Sequence, residues 1–310
     1  IASWSPAMRQ EFHRYIRRFY RETHSRTECD DPVRSQPYWL LFPAWLARKY
    51  GRMSSNRLDK GTLNDILWGQ YCVFLAVRIK DDLFDGQTSA SCLLGAADHF
   101  LAEGCKVFSR HVPNENRFWD FFSGYLKETS VAIIEVDAMQ RRRRVSLTQM
   151  RDGHARVSSI FKIGAAAVCC LANHPDHMNC ISEAFDKLAV AGQILDDFQD
   201  IDEDFRQGRL NYAARFILGA SRQAAMRRED ALHHIAERLL YSDSAARLFA
   251  EVIGHVHMTS RLLSPLRLPE TEEYVTEYAR SLESTAEAVG RVRAHRIFGL
   301  YSGYGAKSRS

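Results

Sequence analysis

Residues 191–209 read AGQILDDFQDIDEDFRQGR, and the reading of the whole chain turns on them. Asp196, Asp197 and Asp200 stand at i, i+1 and i+4, followed closely by Asp202, Glu203 and Asp204. On a helix, i and i+4 share a face one turn apart. Like charges so placed repel by roughly 0.2–0.5 kcal/mol per pair. The residues just before them, Ala189, Val190, Ala191, Ile194 and Leu195, are apolar, which predicts a helix whose acidic end is buried. Carboxylates in that setting need protons, cations or donors. Acids without a local base, Cys or His partner point to hard cations held through oxygen, Mg²⁺ or Mn²⁺.

The pattern occurs twice. Asp81, Asp82 and Asp85 repeat the i, i+1, i+4 spacing, again at the end of an apolar run, Ile66 to Ile79. Two such helices side by side are expected to bring six carboxylates to the mouth of an apolar cavity.

The 310 residues are 45% hydrophobic and 26% charged, with a formal net charge of +4. That length suffices for one large core. The mild positive charge does not argue for nucleic acid but suits an anionic substrate. Seven cysteines without CxxC spacing favour reduced thiols and a cytoplasmic setting over a disulfide framework or a zinc site. No run of apolar residues reaches the length of a membrane span.

Taken in order, the periodicity predicts helices over 5–26, 38–50 (beginning near Pro43), 61–84, 90–110, 115–141, 146–171, 179–204, 221–240, 242–263 and 270–298. Polar connections fall at 27–37 and 51–60, short helical pieces run up to Gly219, and a frayed tail is expected over about 302–310. No segment alternates like a strand, and no linker divides the chain. The expectation is an all-α bundle forming a single domain over 1–310. Nucleotide-binding glycine motifs, HExxH and GxSxG are absent. Arg141–Arg144 is a run of four arginines, read as a solvated helix end with a phosphate or membrane-surface contact as the alternative.

With both motifs in hand, D81-D-L-F-D85 and Q193-I-L-D196-D-F-Q-D200, the chain resembles the class I isoprenoid synthases. These all-α enzymes comprise prenyl diphosphate synthases, class I terpene cyclases and squalene/phytoene synthases. Phe161-Lys162-Ile163-Gly164-Ala165 looks like the lysine segment of the prenyl diphosphate synthases, and Gly208-Arg209 stands where they carry Gly-Lys. The motifs DDLFDGQ and DIDEDFRQGR are also similar to those of phytoene synthases. Two departures stand out. Leu40-Leu41-Phe42-Pro43 lacks the basic cluster that elongating synthases use for isopentenyl diphosphate. Gly86-Gln87-Thr88-Ser89-Ala90 lacks their Arg-Arg-Gly.

The resemblance implies a class I terpene synthase, a lyase that ionises one allylic prenyl diphosphate and releases pyrophosphate. The alternative is a prenyltransferase of the same fold, head-to-head or chain-elongating; outside the enzymes stands a non-catalytic helical interaction protein. The implied ligands of a trinuclear Mg²⁺ cluster, with Mn²⁺ as substitute, are Asp81, Asp82, Asp85, Asp196, Asp197 and Asp200. Asp81, Asp82, Asp196 and Lys162 would be catalytic, and Lys162, Arg156 and Arg209 would contact the diphosphate. Phe74, Val77, Ala189, Gly192 and Gln193 would line the cavity. A homodimer is the expected assembly.

Overall fold

Every regular element among the described residues is helical. The structure, a computed structural model, describes residues 4–25, 37–51, 58–219 and 228–307. Cys29, Arg34, most of the 51–60 connection and the first turns expected at 221–227 lie outside them. The helices are α1 Pro6–Ser25, α2 Tyr38–Gly51, α3 Lys60–Phe84, α4 Leu93–His111, α5 Phe118–Arg141, α6 Leu147–Val157 and α7 Ile163–Leu171. They continue with α8 Met178–Gln199, α9 Ile201–Arg206, α10 Tyr212–Leu218, α11 Arg228–Tyr241, α12 Ser244–Leu263 and α13 Pro269–Lys307. The chain divides into two compact units, residues 1–130 with 159–179, and residues 131–158 with 180–310.

In the first unit, Asp59 caps α3 by accepting the Thr62 N–H at 2.7 Å. One stripe of α3, Cys72, Leu75, Ala76 and Ile79, is buried with Trp4 and Phe12 of the N-terminal segment and Phe100 of α4. A Cβ at Gly104 of α4 would sit 3.1 Å from the Gly69 carbonyl oxygen, so the two helices meet this closely only over glycine. All nine residues of α7 are buried, packed against α2 and α3. The sequence predicts one helix over 146–171, but a 3₁₀ turn, Ser158–Lys162, interrupts it. Side chains from far away take over the backbone groups there. Gln70 donates to the Ile160 carbonyl at 3.0 Å and accepts the Gly164 N–H at 2.6 Å, while Thr129 accepts the Ile160 N–H at 3.1 Å. Helix α2 begins at Tyr38 and carries Pro43 inside it, rather than beginning near the proline. The ring is buried against Gly164, where an added Cβ would lie 3.1 Å from it, and that packing offsets the lost backbone bond.

The second unit is built on Val190, Ala191 and Ile194 of α8, with Tyr212, Ala213 and Ile217 of α10 and Leu248, Val252 and Val256 of α12. Helix α12 packs along α13. The helix expected to run to 204 breaks at Asp200, and the last helix continues to Lys307, through the region expected to fray. Leu147–Leu171 is long and apolar enough to cross a membrane by length and composition. Its most apolar window is 72% buried, as in a core helix.

Candidate functional site

Each unit carries one acidic helix end, and the two are built alike. In the first, Asp82 continues the buried stripe of α3 one turn beyond Ile79 and is only 3% exposed. Its carboxylate sits 2.9 Å from the Arg78 guanidinium, one turn back on α3, and 3.4 Å from Arg18 of α1. Tyr15 of α1 is close to it, and burial together with that carboxylate pushes the Tyr15 phenol well above its ordinary range. Burial works against the Arg78 charge, but Asp82, Asp81 and Asp85 outweigh it and raise the guanidinium's pKa. The Asp82 carbonyl accepts the N–H groups of Gln87 and Thr88 at 2.9 and 3.2 Å, closing a turn through Gly86 at φ 71°. Arg18 donates to the Gln87 carbonyl at 2.6 Å. Asp81, with its side chain 27% exposed, and the partly exposed Asp85 face outward. They lie one turn apart, and the Asp85 N–H donates to the Asp81 carbonyl at 2.8 Å.

In the second unit Asp197 is the buried member, 2% exposed, on the stripe of Val190 and Ile194. It accepts the Tyr212 N–H at 2.7 Å and the Gln193 amide at 3.2 Å, and His154 Nε2 lies 3.4 Å away. Asn211 donates both to the Asp197 carbonyl and to Asp204 at 2.7 Å, and caps α10 by accepting the Ala214 N–H. Burial pushes the Asp204 carboxyl up to about 6, against the Asn211 bond. Asp196 is exposed and Asp200 partly exposed. Below, Tyr212 donates to Glu251, which also pairs with Arg151 at 2.8 Å.

Both motifs therefore share a burial pattern: the middle aspartate is buried and the first and last are at least partly exposed, with Asp81 also 3.6 Å from Arg78. Sequence spacing treated all six as equivalent ligands. Arg78 was legible as an i, i+4 partner of Asp82. Arg18, Tyr15, His154 and Asn211 gave no sequence signal, because their contacts come from other helices.

Lys162 is buried, 3% exposed, with its ammonium 3.3 Å from Ser159 Oγ and 5.3 Å from the Tyr125 ring centre. Ser159 in turn donates to Glu128 at 2.8 Å. Arg156 pairs with Glu135 at 2.5 Å, and Arg209, 11% exposed, lies 3.6 Å from Asp137. Phe74 stands among Phe19, Trp39, Tyr71 and Phe161, with ring centres 4.9–6.1 Å away. It is half-buried, like Val77 in the first unit and Ala189, Gly192 and Gln193 in the second. A Cβ added at Gly192 would meet nothing within 4 Å.

Among the described residues no three or more His, Cys, Asp or Glu side chains are gathered as a preformed metal cage. The outward pairs still fit Mg²⁺, which is usually held by one or two carboxylates together with substrate phosphates. The engaged Asp82 and Asp197 fit that role less well.

No family model and no curated sequence matches the chain. Solved structures do. The geranylgeranyl pyrophosphate synthetase of the archaeon Geoglobus acetivorans is similar at 14% identity and a TM-score of 0.63, covering 81% of this chain and 88% of that one. The decaprenyl diphosphate synthase of Rhodobacter capsulatus is similar at 12% and 0.63, covering 91% and 98%. The fold is that of the class I isoprenoid synthases. The octaprenyl pyrophosphate synthase of Helicobacter pylori shares the isoprenoid synthase fold at 12% identity and a TM-score of 0.57, over 88% and 97% of the two chains.

Proposed function

We propose that this chain is a prenyltransferase of the isoprenoid synthase fold. The observation that carries the reading is the shared pattern of the two acidic motifs, each with a buried middle aspartate, Asp82 or Asp197, flanked by more exposed ones, Asp81 and Asp85 or Asp196 and Asp200. Mg²⁺ bound there would supply positive charge to an allylic diphosphate as its C–O bond breaks. Lys162, Arg156 and Arg209 would hold the diphosphate oxygens. Phe74 would offer its ring face to the allylic cation, and Val77, Ala189, Gly192 and Gln193 would keep water from it. Asp82 and Asp197 would fix the helix ends rather than bind metal.

The absent bases at 40–43 and 86–90 suggested a terpene cyclase. Two findings support the transferase instead. The similar solved structures reported above are synthases of prenyl diphosphates, and Arg18 brings a cation from α1 to the Gln87 segment. Cyclisation remains the second reading, on the missing bases at 40–43 and the missing Arg-Arg-Gly. Incubation with ten- to twenty-five-carbon allylic diphosphates and labelled isopentenyl diphosphate tests both. The expected product is a longer, labelled prenyl diphosphate, formed with Mg²⁺ and abolished by EDTA. A hydrocarbon or alcohol from the allylic substrate alone would favour the cyclase, and a diphosphate-free dimer the phytoene-like reaction. Full activity after exhaustive EDTA treatment would refute the metal.

A further inference from the structure

The arginine run has a structural setting that its expected role as a solvated helix end does not explain. A cation after a helix C-terminus ordinarily satisfies the last carbonyls and the negative end of the dipole. Here that place is taken. Arg215 of α10, fully buried, donates to the carbonyls of Met139 and Arg142 at 3.0 and 2.5 Å, and to that of Gln140 at 3.4 Å. The nearby carboxylate is taken as well. Asp137 receives Arg141 through two nitrogens, at 2.9 and 3.1 Å, and Arg209 lies 3.6 Å from it. The side chains of Arg142, Arg143 and Arg144 are exposed, and among the described residues none of the three pairs with a carboxylate.

The loop that carries them is held at both ends. Arg215 grips the carbonyls where α5 stops. At the other end a capping box starts α6, with Ser146 Oγ accepting the Gln149 N–H at 3.1 Å and Gln149 returning a bond to the Ser146 N–H at 3.0 Å. Val145 between them packs against the core of the second unit. Three adjacent guanidiniums are thus presented from a fixed backbone with no internal counter-charge. The loop also abuts the acidic end. The Leu210 N–H donates to the Gln140 carbonyl at 2.8 Å, and Asn211 and Tyr212, the next two residues, bind Asp197.

We propose that Arg142, Arg143 and Arg144 form a diphosphate-binding site at the acidic end of the second unit, separate from the carboxylates that hold metal. Three guanidiniums on a backbone held at both ends match the two to three negative charges of a diphosphate, which planar N–H forks bind in bidentate fashion. The ligand is the diphosphate of a second prenyl substrate, one that is bound without metal. The assignment of that substrate rests on the transferase reading. The anion site does not.

The test is calorimetric titration of the full chain with inorganic pyrophosphate in EDTA at low salt, against the triple variant R142Q/R143Q/R144Q and the charge-keeping R142K/R143K/R144K. Wild type is expected to bind pyrophosphate more tightly than orthophosphate, with an affinity that falls as salt rises. The glutamine variant is expected to bind at least tenfold more weakly with an unchanged melting temperature, and the lysine variant to fall between. Equal pyrophosphate affinity in wild type and the glutamine variant would overturn the proposal. So would capture on phosphatidylglycerol vesicles that depends on the three arginines while pyrophosphate does not bind, which would assign them to a lipid surface. The transferase reading fails separately, in the Mg²⁺-supported turnover assay.

Discussion

Neighbouring aspartates in the second motif should answer mutation in opposite ways. Asp197→Ala removes a buried acceptor that bonds the Tyr212 N–H and the Gln193 amide and lies 3.4 Å from His154. A hydrogen bond to a charged group contributes about 1.5–3 kcal/mol, and a donor left buried without a partner costs about 1–3 kcal/mol. These overlap, so the expected loss is about 3 kcal/mol. At about 2–4 °C per kcal/mol for a chain of this class, the melting temperature should fall by roughly 6–12 °C. Asp197→Asn keeps one acceptor for Tyr212 and should lose about half as much. Asp196→Ala, at an exposed position, should stay within about 0.5 kcal/mol yet abolish Mg²⁺-dependent turnover. The assay is thermal and urea unfolding in metal-free buffer, run beside product formation. Equal melting temperatures for the two alanine variants, or an Asp196→Ala protein that unfolds as early as Asp197→Ala, would refute the division of labour within the motif.

Glu251 gives a pH signature. Burial raises its carboxyl, but the His255 imidazole 3.9 Å away and bonds from Tyr212 and Arg151 outweigh burial and hold it at about 2, below the ordinary 4.5. A depressed carboxylate stabilises the fold above its unfolded pKa, and that stability is lost as pH falls from about 4.5 toward 2. Glu251→Gln should flatten the stability profile in that window, as read by unfolding at each pH. Asp204 works in the other sense. Its carboxyl, raised to about 6 from 3.8, favours folding below 3.8 and loses that contribution as pH rises through 6. Asp204→Asn should therefore stabilise the protein at pH 8 relative to pH 4. Arg215→Ala strips the carbonyls of Met139, Gln140 and Arg142 of a buried partner and should cost about 3 kcal/mol in urea unfolding, with Arg215→Lys recovering part. Among the described cysteines, thiol labelling should reach the exposed Cys92 first. Cys72 and Cys170, buried with thiols raised to about 12 and about 11, should react only on unfolding.

The long helices were legible because their signals are local. Asp59 precedes α3 as a cap, and the apolar spacing that ends at each acidic turn fixed both helix and motif. The inward turn of Asp82 and Asp197 was also available in the spacing. Asp82 lies three and seven residues beyond Ile79 and Leu75, and Asp197 likewise beyond Ile194 and Val190, all of them buried. The acids of each motif thus occupy two faces of their helix, one buried and one more exposed. The interruption at 158–162 could not be read locally, because it is held by Gln70 and Thr129, about 90 and 31 residues distant. Pro43 misled for the same reason: its tolerance depends on Gly164. The separation of the chain into two units carries no sequence signal either, since the boundary at 130/131 falls inside the continuous helix α5.

That division bears on how the protein is made. Residues 1–130 are synthesised before the segment that completes their core, 159–179, exists. At about 5–20 residues per second, the 49 residues from 131 to 179 take roughly 2.5–10 s to synthesise. During that interval the faces of α2 and α3 that α7 will cover stand open, and Gln70 has neither Ile160 nor Gly164 to bond. The nascent chain is most open to chaperones and proteases there, and a stop codon anywhere between 131 and 160 should yield a fragment that is degraded rather than a stable half-protein.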